Sequence, residues 1–178
     1  MTQSLSPTLA VGVIVRPHGV RGEVKIQPLT DTPADWLSIR TVEWTARDGS
    51  TVSRRVKQNR VQGEQVIVTI EGVYDRNAAE LLRGTTLSVR REEAPVPAEG
   101  SYYIVDLIGC TVRDEEGHAL AEITDVLQPG ANDVYELKTP KGPAMMPAVR
   151  AVIRGVDIAA RNVTVDAARF DEVTVYED

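Results

Sequence analysis

The sequence has few of the residues on which catalytic and metal sites depend. Cys110 is the only cysteine among 178 residues, so the chain cannot form an intramolecular disulfide, which is the usual condition of a reduced, cytoplasmic protein. His18 and His118 are the only histidines, and no cluster of His and Cys offers the converging ligands that a metal needs. No serine lies in a nucleophile-elbow sequence. We therefore expect a cytoplasmic protein that is not an enzyme and that holds no metal.

Long apolar runs and aromatic side chains are also scarce. No apolar run approaches the length of about 20 residues that spans a bilayer, and residues 1–8 lack the basic start and apolar stretch of a secretory signal. No membrane association is expected. Aromatic residues make up 4% of the chain, although 42% of it is hydrophobic. A core can therefore form, but Val, Ile, Leu and Ala must supply most of it.

The net charge of −6 is distributed unevenly along the chain. Residues 1–97 carry 13 Lys and Arg against 11 Asp and Glu, a net charge of +2, whereas residues 98–178 carry 7 against 15, a net charge of −8. Such asymmetry is typical of two modules with different partners, although differences of this size also arise without a function. The first half is suited to a position near phosphates and the second to a basic protein.

Short β-prone runs separated by turns dominate both halves. Asp48-Gly49 between two alternating runs favours a β-hairpin. One helix interrupts the strands of the first half, because Asp75 can cap its start and Gly84 can end it in the left-handed conformation. In the second half a strand is expected over residues 107–112, while residues 149–156 fit a helical turn or a strand. The pattern predicts a mainly β protein made of two small β-barrels.

A short segment rich in proline and glutamate separates the two halves. Residues 91–100 hold two prolines, three glutamates and a glycine, and we expect none of them to pack into a core. The prolines keep such a segment extended and semi-stiff. We place an N-terminal barrel at 1–92, a linker at 93–100 and a C-terminal barrel at 101–178.

The first half contains two basic motifs. Arg16, His18 and Arg21 lie among glycines that permit a tight turn and bring backbone N–H groups close to a partner, and the two arginines can bind phosphate in a bidentate manner. A structural hairpin loop with solvated arginines is the alternative. The second motif, which can contact RNA phosphates or form a solvated strand face, comprises Arg54, Arg55, Lys57 and Arg60.

Two adjacent tyrosines, Tyr102 and Tyr103, follow the linker. On a strand, one ring would point into the barrel and the other outward. Tyrosine is common at binding hot spots because it combines apolar area with a hydroxyl, so the pair suits a protein-binding surface. Sealing of the linker onto the barrel explains the pair equally well. Further along, Gly130–Asp133 forms a turn before a strand, and turn geometry alone accounts for it.

Taken together, these segments resemble the RimM family of ribosome maturation factors over nearly the whole chain. The resemblance implies an N-terminal β-barrel like those of translation factors and a C-terminal PRC-barrel. It also implies a monomeric, non-enzymatic bacterial assembly factor without a cofactor. Such a factor binds the immature 30S ribosomal subunit, docks on the small-subunit ribosomal protein numbered nineteen, and aids 16S rRNA processing and head maturation. The matching segments are Val11–Val24 with Thr30-Asp31, Asp75–Gly84, Tyr102-Tyr103 with Asp106–Gly109, and Gly130–Val134 with Pro147.

The same resemblance implies two sets of binding residues. The residues expected to meet the ribosomal protein are Tyr102, Tyr103, Asp106, Asn132 and Asp133. The residues expected to face rRNA are Arg16, His18, Gly19, Arg21 and Gly22. Two departures from the family pattern, at Ile104-Val105 and over residues 166–178, affect the edge of the protein-binding surface and the last strand.

Two other functions fit the residues without the family. A generic β-barrel adaptor would keep both folds and bind a different acidic or basic partner. A small enzyme acting on RNA or a nucleotide would use His18 and a carboxylate as acid and base, and it would need a deep pocket beside His18.

Overall fold

The chain forms two units that consist mainly of β-strands. The computed structural model describes residues 5–177. The first unit spans Ser6–Ser101, and the second begins at Tyr102. The predicted mainly β class is confirmed, while the boundaries drawn from the sequence stay predictions. Residues 1–4 of the segment tested for a secretory signal lie outside the described residues, as does Asp178 at the end of the predicted C-terminal barrel.

Six antiparallel strands close into a barrel in the first unit. Their order around the barrel is β1-β2-β5-β4-β3-β6, and β1 also pairs with β6. Closure leaves the sheet without an unpaired edge. The elements are β1 (Thr8–His18), β2 (Glu23–Pro28), β3 (Thr41–Thr45), β4 (Thr51–Gln62), β5 (Gln65–Ile70), α1 (Arg76–Glu80) and β6 (Thr86–Arg90).

The turn chemistry predicted for this unit is present in the structure. In the hairpin between β3 and β4, Gly49 has a φ of +85° and the carboxylate of Asp48 accepts the N–H of Ser50 at 2.9 Å. The carboxylate of Asp75 caps α1 by accepting the N–H of Ala78 at 2.8 Å. Gly84 follows the helix with a φ of +80°. The predicted hairpin and the predicted cap at Asp75 are therefore confirmed. The helix ends earlier than predicted, at Glu80 with Leu81 as its C-cap, and a turn leads on to Gly84.

One tryptophan anchors the core of this barrel. Trp36 lies on a 3₁₀ segment, Pro33–Ser38, and is completely buried. Its indole N–H donates to the carbonyl oxygen of Val11 at 2.9 Å, which satisfies the one polar atom of the buried ring. The side-chain amide of Asn59 donates to the carbonyl oxygen of Trp36 at 2.7 Å and ties the segment to β4. Val, Ile, Leu and Ala supply most of the remaining core, as the composition predicts.

Gly12 on β1 leaves the space that this tryptophan occupies. A Cβ atom at position 12 would lie 2.5 Å from Cγ2 of Ile26 and 2.8 Å from Cζ2 of Trp36. Side-chain carbons do not approach so closely, so any larger residue forces the packed core to move. This glycine is therefore required by packing and not by its backbone conformation.

We expect Gly12→Ala to lower the free energy of unfolding by about 1–3 kcal/mol, because the added methyl group overpacks the core. Urea denaturation followed by circular dichroism measures the change. Gly155→Ala is a matched control, since a Cβ atom at Gly155 would meet no other atom within 4 Å. Equal stability of the wild type and the Gly12 variant would contradict the packing argument.

The second unit is a seven-stranded sheet with two short helices. The strand order is β11-β12-β7-β8-β9-β10-β13, in which β12 and β7 are parallel and the other neighbours are antiparallel. The elements are α2 (Ile104–Leu107), β7 (Thr111–Arg113), β8 (Ala119–Leu127), β9 (Val134–Thr139), β10 (Gly142–Pro147), β11 (Ile153–Asp157), β12 (Asn162–Val165), α3 (Ala167–Val173) and β13 (Val175–Tyr176).

Several local expectations for this unit were wrong or incomplete. The two tyrosines do not lie on a strand, because they lead into α2 and Tyr103 is its N-cap. The strand expected over residues 107–112 begins only at Thr111, after the helix ends and Gly109 turns the chain with a φ of +87°. Residues 149–156 form a turn followed by β11. Helix α3 was not predicted, although Asp166 caps it by accepting the N–H of Arg169 at 2.9 Å.

The segment between the barrels is more closely attached than its composition suggests. Ala94 packs against the core of the first unit, contrary to the expectation that no residue of 91–100 would do so. A 3₁₀ turn, Arg91–Glu93, follows β6. The carboxylate of Asp31 then accepts the N–H of Ala98 at 2.8 Å. The contact of Ala94 and this hydrogen bond thus attach the segment to the first unit.

Within residues 5–177, no helix combines the length and the apolar character needed to cross a membrane.

Candidate binding surfaces

One extra residue in β1 turns the basic side chains of the first motif outward. Strands β1 and β2 are in register at Ile14 and again at Arg16, which pairs with Lys25, so Val15 is left over as a β-bulge. Regular alternation would place Arg16 on the same inner face as Ile14. Because of the bulge, Arg16 is exposed and Pro17 is buried instead.

The loop between β1 and β2 is fixed against the start of α1. Gly22 has a φ of +92°, and a Cβ atom there would collide with the backbone of Val73 and Asp75. Gly19 has a φ of +69°, and its carbonyl oxygen accepts a hydrogen bond from the guanidinium of Arg76 at 3.1 Å. Both glycines are thus required by the conformation of the loop. The backbone is held in place while Arg21 extends into solvent.

The five residues expected to face rRNA therefore lie together at one end of this hairpin. His18 is half-buried and lies opposite Glu23 on β2. The carboxylate of Glu23 is already bound to the guanidinium of Arg60 at 2.6 Å. This ion pair argues against His18 and Glu23 as an acid–base pair.

The second basic motif lies along β4. Arg54, Arg55 and Lys57 are exposed, and the ammonium of Lys57 lies 5.4 Å from the ring centroid of Tyr74. Tyr74 is itself 67% exposed. The motif is therefore largely exposed, with one cation–π contact and the ion pair of Arg60 with Glu23. The sequence contained no signal that would have joined Tyr74 to it.

In the second unit, the tyrosine pair and α2 present an apolar surface. Tyr102 is 36% exposed and Tyr103 is half-buried. Val105 and Ile108 are also exposed, although the helix directs Leu107 into the core. Asp106 lies on the same helix but is only 6% exposed.

Arg161 holds the far end of this helix. Its guanidinium donates to the carbonyl oxygens of Asp106 and Ile108. Its own carbonyl oxygen accepts the N–H of Thr111 at 2.9 Å. Arg161 has a φ of +59°, which is uncommon for a residue other than glycine. The side chain satisfies carbonyl groups that a short helix leaves unpaired, and sequence analysis did not identify it.

A buried tyrosine links the two parts of the predicted docking set. Tyr135 on β9 is 4% exposed, and burial raises its pKa to about 12, with the charges of Asp133 and Tyr102 adding to the shift. Asp133 and Tyr102 are thus close enough to act on the same hydroxyl. The carbonyl oxygen of Asp133 also accepts the N–H of Ala148 at 2.8 Å. Asn132, on the same loop, is exposed.

We expect the ionisation of Tyr135 to weaken the second unit at alkaline pH. Its pKa in the folded protein, about 12, lies above the unfolded value of about 10. The stabilisation by the neutral form is therefore complete below pH 10 and is lost as the pH rises through 12. Two pH units correspond to about 3 kcal/mol. Urea unfolding between pH 9 and 12 measures the loss. Tyr135→Phe should lack this part of the decline, and parallel declines in both proteins would contradict the assignment.

An exposed turn groups three possible metal ligands that sequence analysis did not connect. Ligand atoms of Asp114, Glu116 and His118 lie within 4.8 Å of one another. However, one oxygen of Asp114 accepts the N–H groups of Glu116 and His118, and the other lies 3.0 Å from Nδ1 of His118. These hydrogen bonds, first that from the His118 backbone, lower the pKa of Asp114. The grouping is explained by turn capping.

Both halves of the chain match models of known families. The RimM N-terminal domain matches residues 9–94, and the RimM PRC barrel domain matches residues 104–170. The ribosome maturation factor RimM of Clostridium botulinum (strain Hall) is 37% identical, over 88% of this chain and 92% of that protein. RimM of Paramagnetospirillum magneticum is 39% identical, over 90% of each chain. A crystal structure of a 16S ribosomal RNA processing protein RimM from Pseudomonas aeruginosa is 31% identical, covers 89% of this chain and 96% of its own, and gives a TM-score of 0.44.

Proposed function

The chain belongs to the RimM family of ribosome maturation factors, and we propose that it is a cytoplasmic, non-enzymatic assembly factor for the small (30S) ribosomal subunit. It binds the immature subunit, docks on the ribosomal protein numbered nineteen, and assists 16S rRNA processing and maturation of the head. The proposal is carried by one observation: the RimM N-terminal and PRC barrel models match the two units in order and cover most of the chain.

In this proposal the first unit faces rRNA through the loop between β1 and β2. Arg16 and Arg21 are exposed, and a guanidinium can bind a phosphate with two parallel hydrogen bonds. Gly19 and Gly22 hold the backbone in a fixed shape, so little conformational entropy is lost on binding. His18 adds a further polar group beside the two arginines.

The second unit docks on the ribosomal protein. The net charge of −8 over residues 98–178 favours encounter with a basic partner and sets the orientation. Tyr102 supplies partly exposed aromatic surface, and Val105 and Ile108 extend it. Asp133 and Asn132 provide polar groups at its margin. Asp106, which is nearly buried, acts through the position of α2, and the protein works as a monomer.

We expect the purified protein to co-sediment with immature small subunits through a sucrose gradient and not with large subunits. Binding is expected because, in this proposal, the loop of the first unit and the tyrosine surface of the second unit both have partners on the small subunit. Recovery of the protein only at the top of the gradient would contradict the proposal. It would favour the alternative, a β-barrel adaptor that binds a different partner. RNA cleavage or modification that is lost in His18→Ala would favour the enzyme.

Tyr102→Ala combined with Tyr103→Ala should weaken binding to the isolated ribosomal protein by about 2 kcal/mol or more, or about thirtyfold, because aromatic anchors supply much of the affinity of an interface. Calorimetry measures the affinity, and circular dichroism checks the fold. Tyr74→Ala is the control, since Tyr74 is an exposed tyrosine of the first unit. Unchanged affinity of the folded double variant would remove the tyrosines from the docking site.

A further inference from the structure

A row of side chains crosses four neighbouring strands of the closed barrel. Arg16 on β1 pairs with Lys25 on β2, Lys25 pairs with Ile67 on β5, and Ile67 pairs with Arg60 on β4. Residues directly opposite one another share a face of the sheet. The four side chains therefore lie side by side. With about 4.8 Å between strands, the row extends over about 14 Å.

The row lies on the outer face of the barrel. Val24 and Ile26, on either side of Lys25, belong to the core, so Lys25 points outward. Ile67 is not part of that core, yet it is only 1% exposed. Lys25 and Arg60 are its two cross-strand neighbours on this face.

The charge of the row is only partly compensated. Arg16 lies directly opposite Lys25, and two like charges in this arrangement destabilise the free protein. The carboxylate of Glu23 binds Arg60 at 2.6 Å. Within residues 5–177, Arg16 and Lys25 make no ion pair. An anion above this pair would remove the repulsion.

The rows on either side indicate which part of a nucleic acid fits this face. They contribute mainly uncharged hydrogen-bonding groups, because Gln58 pairs with Thr69 and Gln62 pairs with Gln65. The one carboxylate beside them on β2, that of Glu23, is already bound to Arg60. Proteins that bind single-stranded bases stack them on aromatic rings, and none of these residues is a Phe, Tyr or Trp. Cations and amides on a sheet instead suit phosphate oxygens and sugar hydroxyls.

We propose that the outer face of β1, β2, β5 and β4 is a platform for the phosphate backbone of folded RNA. Arg16 and Lys25 are its main contacts, and Arg60 is partly restrained by Glu23. This inference rests on the proposed function, which it extends from the loop to the sheet and to recognition of the backbone. Binding of this kind tolerates changes of sequence and weakens steeply with salt.

The test compares two double variants that each remove two positive charges from the first unit. Arg16→Gln with Lys25→Gln removes the pair in the row. Arg47→Gln with Arg90→Gln is the control, because both residues are exposed and lie on the β3–β4 turn and at the end of β6. Fluorescence anisotropy with a labelled RNA hairpin, repeated over a range of salt concentrations, gives the affinity and its salt dependence.

The row variant should lose about tenfold in affinity, and the slope of log K against log salt should fall by about 1.5, as expected when two phosphate contacts disappear. Its melting temperature should equal or exceed that of the wild type, because the repulsion is gone. Glu23→Gln should bind RNA more tightly, by about threefold, because Arg60 is released. A bulky substitution is avoided in every variant, so each should fold.

Three results would overturn the inference: equal losses in the row and control variants, no RNA binding by the wild type, or a lower melting temperature of the row variant with unchanged affinity. The sedimentation experiment shows whether the platform alone is wrong or whether the proposed ribosomal function is wrong as well. A wild type that co-sediments with small subunits while the row variant keeps full RNA affinity would overturn the platform alone. A row-dependent affinity without co-sedimentation would leave the platform standing and remove the ribosomal assignment.

Discussion

Side chains alternate between the two faces of a strand, and the inside of a six-stranded barrel accepts only apolar groups. The first unit depends on this constraint, because Trp36 and the Val and Ile side chains around it fill the interior. Charged side chains must therefore lie on the outer face. Where regular alternation would turn one inward, a β-bulge is needed to reverse its direction. Val15 shifts β1, and a second bulge at Lys57 shifts β4 between Val56 and Gln58. The two bulges bring cations outward without placing a charge in the core.

In the second unit, the side chain of Arg161 stabilises the short helix α2. A four-residue helix cannot hold its own shape in water, yet it carries the apolar surface that follows the tyrosines. Leu107 anchors one side of α2 in the core, and Arg161 binds the carbonyl oxygens at its end. An uncommon backbone conformation at Arg161 is maintained because these hydrogen bonds compensate for its cost. The position of α2 is thus set by contacts between residues that are far apart in the chain.

The sequence predicts features that depend on neighbouring residues and misses those that depend on distant ones. The cap by Asp75 and the turn at Gly49 follow from local chemistry, and the RimM resemblance supplied the family and the two folds. The outward orientation of Arg16 depends on the register in which β1 pairs with β2, and no pattern within β1 reveals that register. Helix α2 is too short for its periodicity to be recognised. Tyr135 alternates like any core residue of a strand, and the burial of Asp106 depends on how α2 packs.

The two units also differ in when they can form during synthesis. All strand pairs of the closed barrel lie between Thr8 and Arg90, so the barrel can close when about half of the chain has emerged from the ribosome. The tyrosine segment cannot fold until later in synthesis, because β7 pairs with β12 and Arg161 follows Asp106 by 55 residues. Nascent chains fold from the N-terminus as they emerge. A newly made molecule therefore carries the surface that we assign to RNA before the one that we assign to the ribosomal protein.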